Sequence, residues 1–78
     1  MAKVTLRIPK LAVSAQEGCL REWYVEDGQQ VSQGQPLYAI EMEKALVEIE
    51  CPFAGTVTRI GVVGETYNVG DPIAEIVQ

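Results

Sequence analysis

Histidine is absent from the 78 residues. That removes the commonest general acid/base and the commonest metal ligand, so enzyme chemistry starts at a disadvantage. Basic residues are scarce: six Lys and Arg stand against eleven Asp and Glu, for a net charge of −5. An acidic chain lacks the cations that phosphate backbones and anionic membranes require, and neither nucleic acid nor membrane is expected as a partner. No apolar run approaches the roughly 20 residues needed to span a bilayer. The N-terminus alternates from its first residues and lacks the apolar stretch of a secretory signal. A soluble intracellular protein is expected, or a mature domain cut from a larger one. The only two cysteines, Cys19 and Cys51, do not have the close spacing of a zinc site. Each is expected to fill a small core position in a strand, with a single disulfide as the lesser alternative. No segment sustains a 3.6-residue apolar period with caps, so no helix is predicted.

What is present is alternation. Lys3-Val4-Thr5-Leu6-Arg7-Ile8 places Val4, Leu6 and Ile8 on one side, the pattern of a half-buried strand ended by Pro9. A second strand is predicted over Cys19 to Val25, followed by a turn at Asp27-Gly28. Gln29 to Gln35 reads as polar, with Val31 as its one apolar anchor. Pro36 to Ile40 and Leu46 to Pro52 are strand-like runs on either side of Glu41-Met42-Glu43-Lys44-Ala45. Ala45, Val47, Ile49 and Cys51 share one face there, and Leu46, Glu48 and Glu50 the other. Further strands are predicted over Thr56 to Ile60 and Ile73 to Val77. With 47% hydrophobic residues the chain can build a core, and its length suits one domain over residues 1–78. Short strands separated by turn signals indicate a compact all-β sandwich or barrel.

The chain also repeats itself. Gly28 to Leu37 parallels Gly64 to Ile73, with two glycines, one proline and the following aliphatic in register; Ile40 and Ile76 continue the match. Gly18-Cys19-Leu20 aligns with Gly55-Thr56-Val57 after one residue of slip, and Val4 to Pro9 resembles Val47 to Pro52. Two similar halves related by a pseudo-two-fold axis follow. The stretch Glu41 to Ala45 falls between the repeats and is read as a hairpin tip that holds the Lys44 amine in solvent. A type I turn accommodates these residues. Taken alone, a lysine between acidic residues is ordinary solvated surface. Its central position, at a tip with no counterpart in the other half, sets it apart from Lys3 and Lys10, which lie in or beside the first strand. Glu48 and Glu50 form an outward acidic stripe that keeps an edge soluble, and Leu46 is expected to be exposed beside them.

These residues resemble the biotinyl/lipoyl domain family over nearly the whole chain. Ile8-Pro9-Lys10-Leu11, Glu17-Gly18, Trp23 and Asp27-Gly28 look like the first half of lipoyl domains from dihydrolipoamide acyltransferases. Gly34-Gln35-Pro36-Leu37, Ile40-Glu41, Glu43-Lys44-Ala45, Pro52, Ala54-Gly55 and Gly70-Asp71-Pro72-Ile73 look like the rest. The resemblance implies a flattened β-barrel of two four-stranded antiparallel sheets, with the tip lysine covalently modified. Lipoyl domains usually carry Asp-Lys-Ala at the tip, and biotinyl domains usually carry Met on both sides of the lysine. Glu43 stands here where Asp is usual, and Met42 where a small hydroxyl residue is usual. The tip therefore favours lipoate on Lys44, with biotin as the alternative cofactor and Glu41, Met42, Glu43 and Ala45 as flanking recognition residues.

The implied role is that of a swinging arm in a 2-oxo acid dehydrogenase complex. A lipoate ligase or lipoyl transferase would load Lys44. A thiamine-diphosphate-dependent decarboxylase (E1) would pass an acyl group to the arm, an acyltransferase (E2) would move it to coenzyme A, and a flavin-containing dihydrolipoamide dehydrogenase (E3) would reoxidise the arm. Such a carrier is not itself an enzyme, and it would work in a bacterial cytoplasm or a mitochondrial matrix. An unmodified structural barrel-sandwich module is a third reading. The loop from Leu11 to Gln16 would approach the hairpin if it follows the family.

Overall fold

Alternation becomes sheet in the computed structural model, which describes residues 2–10 and 16–78. The described residues form eight strands and no helix: β1 (Lys3–Arg7), β2 (Glu17–Trp23), β3 (Gln30–Val31), β4 (Pro36–Met42), β5 (Ala45–Glu50), β6 (Gly55–Arg59), β7 (Thr66–Asn68) and β8 (Pro72–Val77). They assemble into two four-stranded antiparallel sheets, ordered β1-β8-β6-β3 and β5-β4-β2-β7. The expected barrel-sandwich of two such sheets is what forms. β3 and β7 are strands that alternation along the sequence does not predict. Each has a single inward side chain, Val31 or Tyr67, too little alternation to register as a period.

The repeat is a structural symmetry. Shifting each strand of the first half to its counterpart in the second exchanges the two sheet orders, β1 with β5, β8 with β4, β6 with β2 and β3 with β7. Loop hydrogen bonds obey the same exchange. Gly28 N donates to Val57 O at 2.8 Å, and Gly64 N donates to Leu20 O at 2.8 Å. Gly34 N donates to Cys51 O at 2.8 Å, and Gly70 N to Ile8 O at 2.9 Å. Gly28 and Gly64 occupy φ of 85° and 95°, a left-handed conformation that glycine adopts without steric cost. Even the β-bulges correspond: the β1–β8 ladder slips between Leu6 and Arg7, and the β4–β5 ladder between Pro36 and Tyr38. One bulge has no counterpart. β2 slips against β4 between Leu20 and Glu22, whereas β6 pairs with β8 in unbroken register from Thr56 to Arg59. This is the one-residue slip in the repeat.

Paired positions fill the core. Leu20 and Val57, Leu37 and Ile73, Ile40 and Ile76, and Ile8 and Cys51 are all buried. Each large aliphatic there contributes on the order of 1.5–3 kcal/mol through burial. Trp23 closes one side, its Nε1 donating to Gly61 O at 3.1 Å, with Tyr38 edge-on at 5.6 Å and the Arg59 guanidinium 5.4 Å from its ring centre. Both cysteines are free, so the disulfide alternative is not realised. Cys51 fills the core position expected of it, and burial pushes its thiol up. Cys19 instead lies half-buried on the outer side of β2, opposite Glu41.

Tyr38 gives the fold a pH dependence. Burial pushes its phenol up from 10 to about 12, because the phenolate is costly away from water. A group whose pKa is raised on folding stabilises fully below its unfolded value, and that contribution is lost as pH climbs through the folded value. Between pH 10 and about 12, urea unfolding should show the wild type losing about 1–2 kcal/mol more stability than Tyr38→Phe. Parallel pH curves for the two proteins would contradict this.

Candidate functional site

The β4–β5 ladder decides where the tip falls. Ile40 pairs with Val47, Glu41 with Leu46 and Met42 with Ala45, which leaves Glu43 and Lys44 as a two-residue turn. The turn is not the expected type I. Glu43 has φ 54° and is the one described non-glycine residue with positive φ, whereas type I requires negative φ at both central positions. Positive φ at the first central residue is a feature of the turns that match strand twist in two-residue hairpins. For a glutamate it costs on the order of 1 kcal/mol, and the surrounding ladder holds it in place.

Pleating sorts the flanking side chains. Glu41 faces outward, Met42 inward, and Glu43, Lys44 and Ala45 are exposed. Met42 is only 3% exposed and belongs to the core cluster. It packs over Gly18, where a Cβ would come within 3.0 Å of Met42 Cγ and 2.8 Å of Ile40 Cδ1. Met42 therefore seats the hairpin from inside and presents no side chain to a visitor. From outside, Arg21 on β2 donates from Nε, at 2.9 Å, and from Nη2 to the same Glu41 oxygen, Oε1. Leu46, 62% exposed, stands directly across the ladder from Glu41. Glu48 and Glu50 are exposed along β5, an edge strand, as expected of an acidic stripe.

Lys44 crowns this support. Among the described residues no hydrogen bond or ion pair holds its ammonium, whereas Lys3 pairs with Glu75 at 3.4 Å and Arg7 donates to Gly70 O at 3.0 Å. A shallow groove of about 300 Å³ runs beside the tip, lined by Glu17, Gly18, Cys19, Glu41, Glu43 and Thr66. An amide-linked arm requires an exposed primary amine, and Lys44 is exposed on the two-residue tip. Of the loop expected to approach the hairpin, residues 11–15 lie outside the described residues; Gln16 O accepts from Val69 N at 3.0 Å. Sequence reasoning missed Arg21. Its only sequence trace is the slip in the repeat.

Comparison with known proteins agrees with this fold. The family model described as "Biotin-requiring enzyme" (Biotin_lipoyl) matches residues 4–76. The lipoamide acyltransferase component of the branched-chain alpha-keto acid dehydrogenase complex of Bacillus subtilis (strain 168) is 32% identical over 77 residues, which is 97% of this chain and 18% of that protein. The chain thus spans about a fifth of the length of that relative. Among solved structures, the lipoyl domain of the 2-oxoglutarate dehydrogenase complex from Azotobacter vinelandii superposes with a TM-score of 0.81 at 18% identity, covering 96% of each chain. A single-chain, multi-domain long-chain acyl-CoA carboxylase also gives a TM-score of 0.81, at 21% identity, covering 97% of this chain and 7% of that one. These two likenesses establish the fold and do not choose between cofactors.

Proposed function

The chain belongs to the biotin/lipoyl family, and from that premise we propose that residues 1–78 form a lipoyl carrier domain, with lipoate amide-linked to Nζ of Lys44. The observation that carries this reading is the placement of Lys44 on the two-residue tip, exposed and without an ion pair among the described residues. Lipoate is favoured over biotin by the tip itself. Glu43 and Ala45 flank the lysine, and the nearest methionine, Met42, is two residues away and buried.

The protein's part in the chemistry is placement. An exposed ammonium is a poor nucleophile at neutral pH, so Lys44 acts as a ligase substrate. Nζ bonds to the carbonyl carbon of an activated lipoyl group, the bond to the leaving group breaks, and the ammonium gives up two protons. The amide removes the positive charge from the tip. Bound there, lipoate would supply a dithiolane able to accept an acyl group and a pair of electrons. The hairpin confines the arm near successive active sites and raises its effective concentration at each. The partners of this reading are a lipoate ligase and the E1, E2 acyltransferase and E3 enzymes of a 2-oxo acid dehydrogenase complex, in a bacterial cytoplasm or a mitochondrial matrix.

Expression with active lipoate and biotin ligases and both cofactors present, followed by intact mass, tests the reading. A lipoyl increment is expected. A biotinyl increment would replace it with a carboxyl-carrier role, and an unmodified chain would leave a structural barrel module.

A further inference from the structure

We propose that Arg21 is a positioning residue for the carrier lysine, keeping the Glu41 carboxylate off the Lys44 amine. The inference rests on the carrier reading of Lys44 for its biological meaning, though its central test does not. Three observations converge on it. The first is a broken symmetry. The segment from Leu20 to Gly28 is one residue longer than its counterpart from Val57 to Gly64. The extra residue is absorbed in the β2–β4 slip, which β6–β8 lacks. A bulge re-aims the side chains at the slip and is a recurrent device beside functional sites. Arg21 sits inside it.

The second observation is where Arg21 is aimed. Two of its nitrogens converge on one oxygen of Glu41, and Glu41 is the last outward-facing residue of β4 before the turn. The third is the local charge. Glu17, Glu41 and Glu43 line the groove beside the tip, so Lys44 stands at an acidic rim. Held by Arg21, the Glu41 carboxylate is engaged on the β2 side of the ladder. Released, it becomes an ion-pair partner for the ammonium three residues on, and an amine held in such a pair is less available for acylation.

The unmodified 78-residue chain provides the decisive reading without any ligase. Limited acylation with N-hydroxysuccinimidyl acetate, mapped by peptide mass, gives the ratio of label at Lys44 to label at Lys10. Arg21→Gln should lower this ratio about two- to fivefold at low salt, the range an exposed ion pair supports. The double variant Arg21→Gln with Glu41→Gln should restore it, and so should raised ionic strength. Melting curves confirm that each variant is folded. A ratio unmoved by Arg21→Gln, or a loss that the second substitution fails to restore, would overturn the proposal. The same variants with a lipoate ligase, ATP and lipoate should show the same loss and rescue in the rate of the lipoyl mass increment. If the wild type accepts no lipoyl group while the acetylation ratios behave as expected, the carrier reading fails and the positioning of the amine stands.

Discussion

Replacing Lys44 by arginine is expected to abolish lipoyl attachment, lowering it by at least about 100-fold, while leaving the fold intact. Arginine keeps the positive charge and much of the length, but its guanidinium stays protonated and offers no amine for amide formation. The position is exposed, and among the described residues the Lys44 side chain has no hydrogen bond or ion pair. Stability should therefore change by no more than about 0.5 kcal/mol, the usual range for such surface sites. Intact mass and thermal unfolding on the same sample read the two quantities together. Residual modification would move the acceptor to Lys3 or Lys10; a large loss of stability would mean that Lys44 helps to hold the hairpin.

The second large effect is on the scaffold, and the pseudo-symmetry supplies its own control. Gly18 and Gly55 are counterparts, and each lies against the strand that follows its own half's proline. An added Cβ at Gly55 would meet Ile76 Cγ2 at 2.5 Å and the carbonyl oxygen of Val77 at 2.7 Å. At Gly18 it would meet only side chains, Ile40 at 2.8 Å and Met42 at 3.0 Å. The buried Ile40 and Met42 side chains can give only by repacking, a smaller disturbance than moving a backbone carbonyl within the β6–β8 ladder. Gly55→Ala should therefore cost about 2–3 kcal/mol, the upper part of the overpacking range, or roughly 10–20 °C in melting temperature for a domain of this size. Gly18→Ala should cost about 1 kcal/mol. Equal losses, or a stabilised Gly55→Ala, would show that the clash relaxes.

These glycines also mark how far the sequence could be read. The ordered match of Gly28-to-Leu37 with Gly64-to-Ile73 announced two halves, and the structure answers with exchanged sheet orders and paired loop hydrogen bonds. Lys44 stood out because it lies at the centre of that repeat, where a long-range symmetry is visible in one dimension. What stayed hidden depends on three-dimensional detail. β3 and β7 are too short to carry a period. The left-handed Glu43 is imposed by the two-residue register, against the residue's own preference. Met42 reads as a tip residue by sequence position, but the pleat turns it inward over Gly18. The Arg21–Glu41 contact joins residues twenty apart, and only the ladder register brings them together.

The proposed carrier role makes a single amine, that of Lys44, the point of attachment. It is tested most directly by site-resolved peptide mass of the full chain after reaction with a lipoate ligase, ATP and lipoate, with Lys3, Lys10 and Lys44 all available. The lipoyl increment is expected on the peptide carrying Lys44 and on neither of the others. A lipoyl group distributed over Lys3 or Lys10, or an unmodified Lys44 under an active ligase, would contradict it.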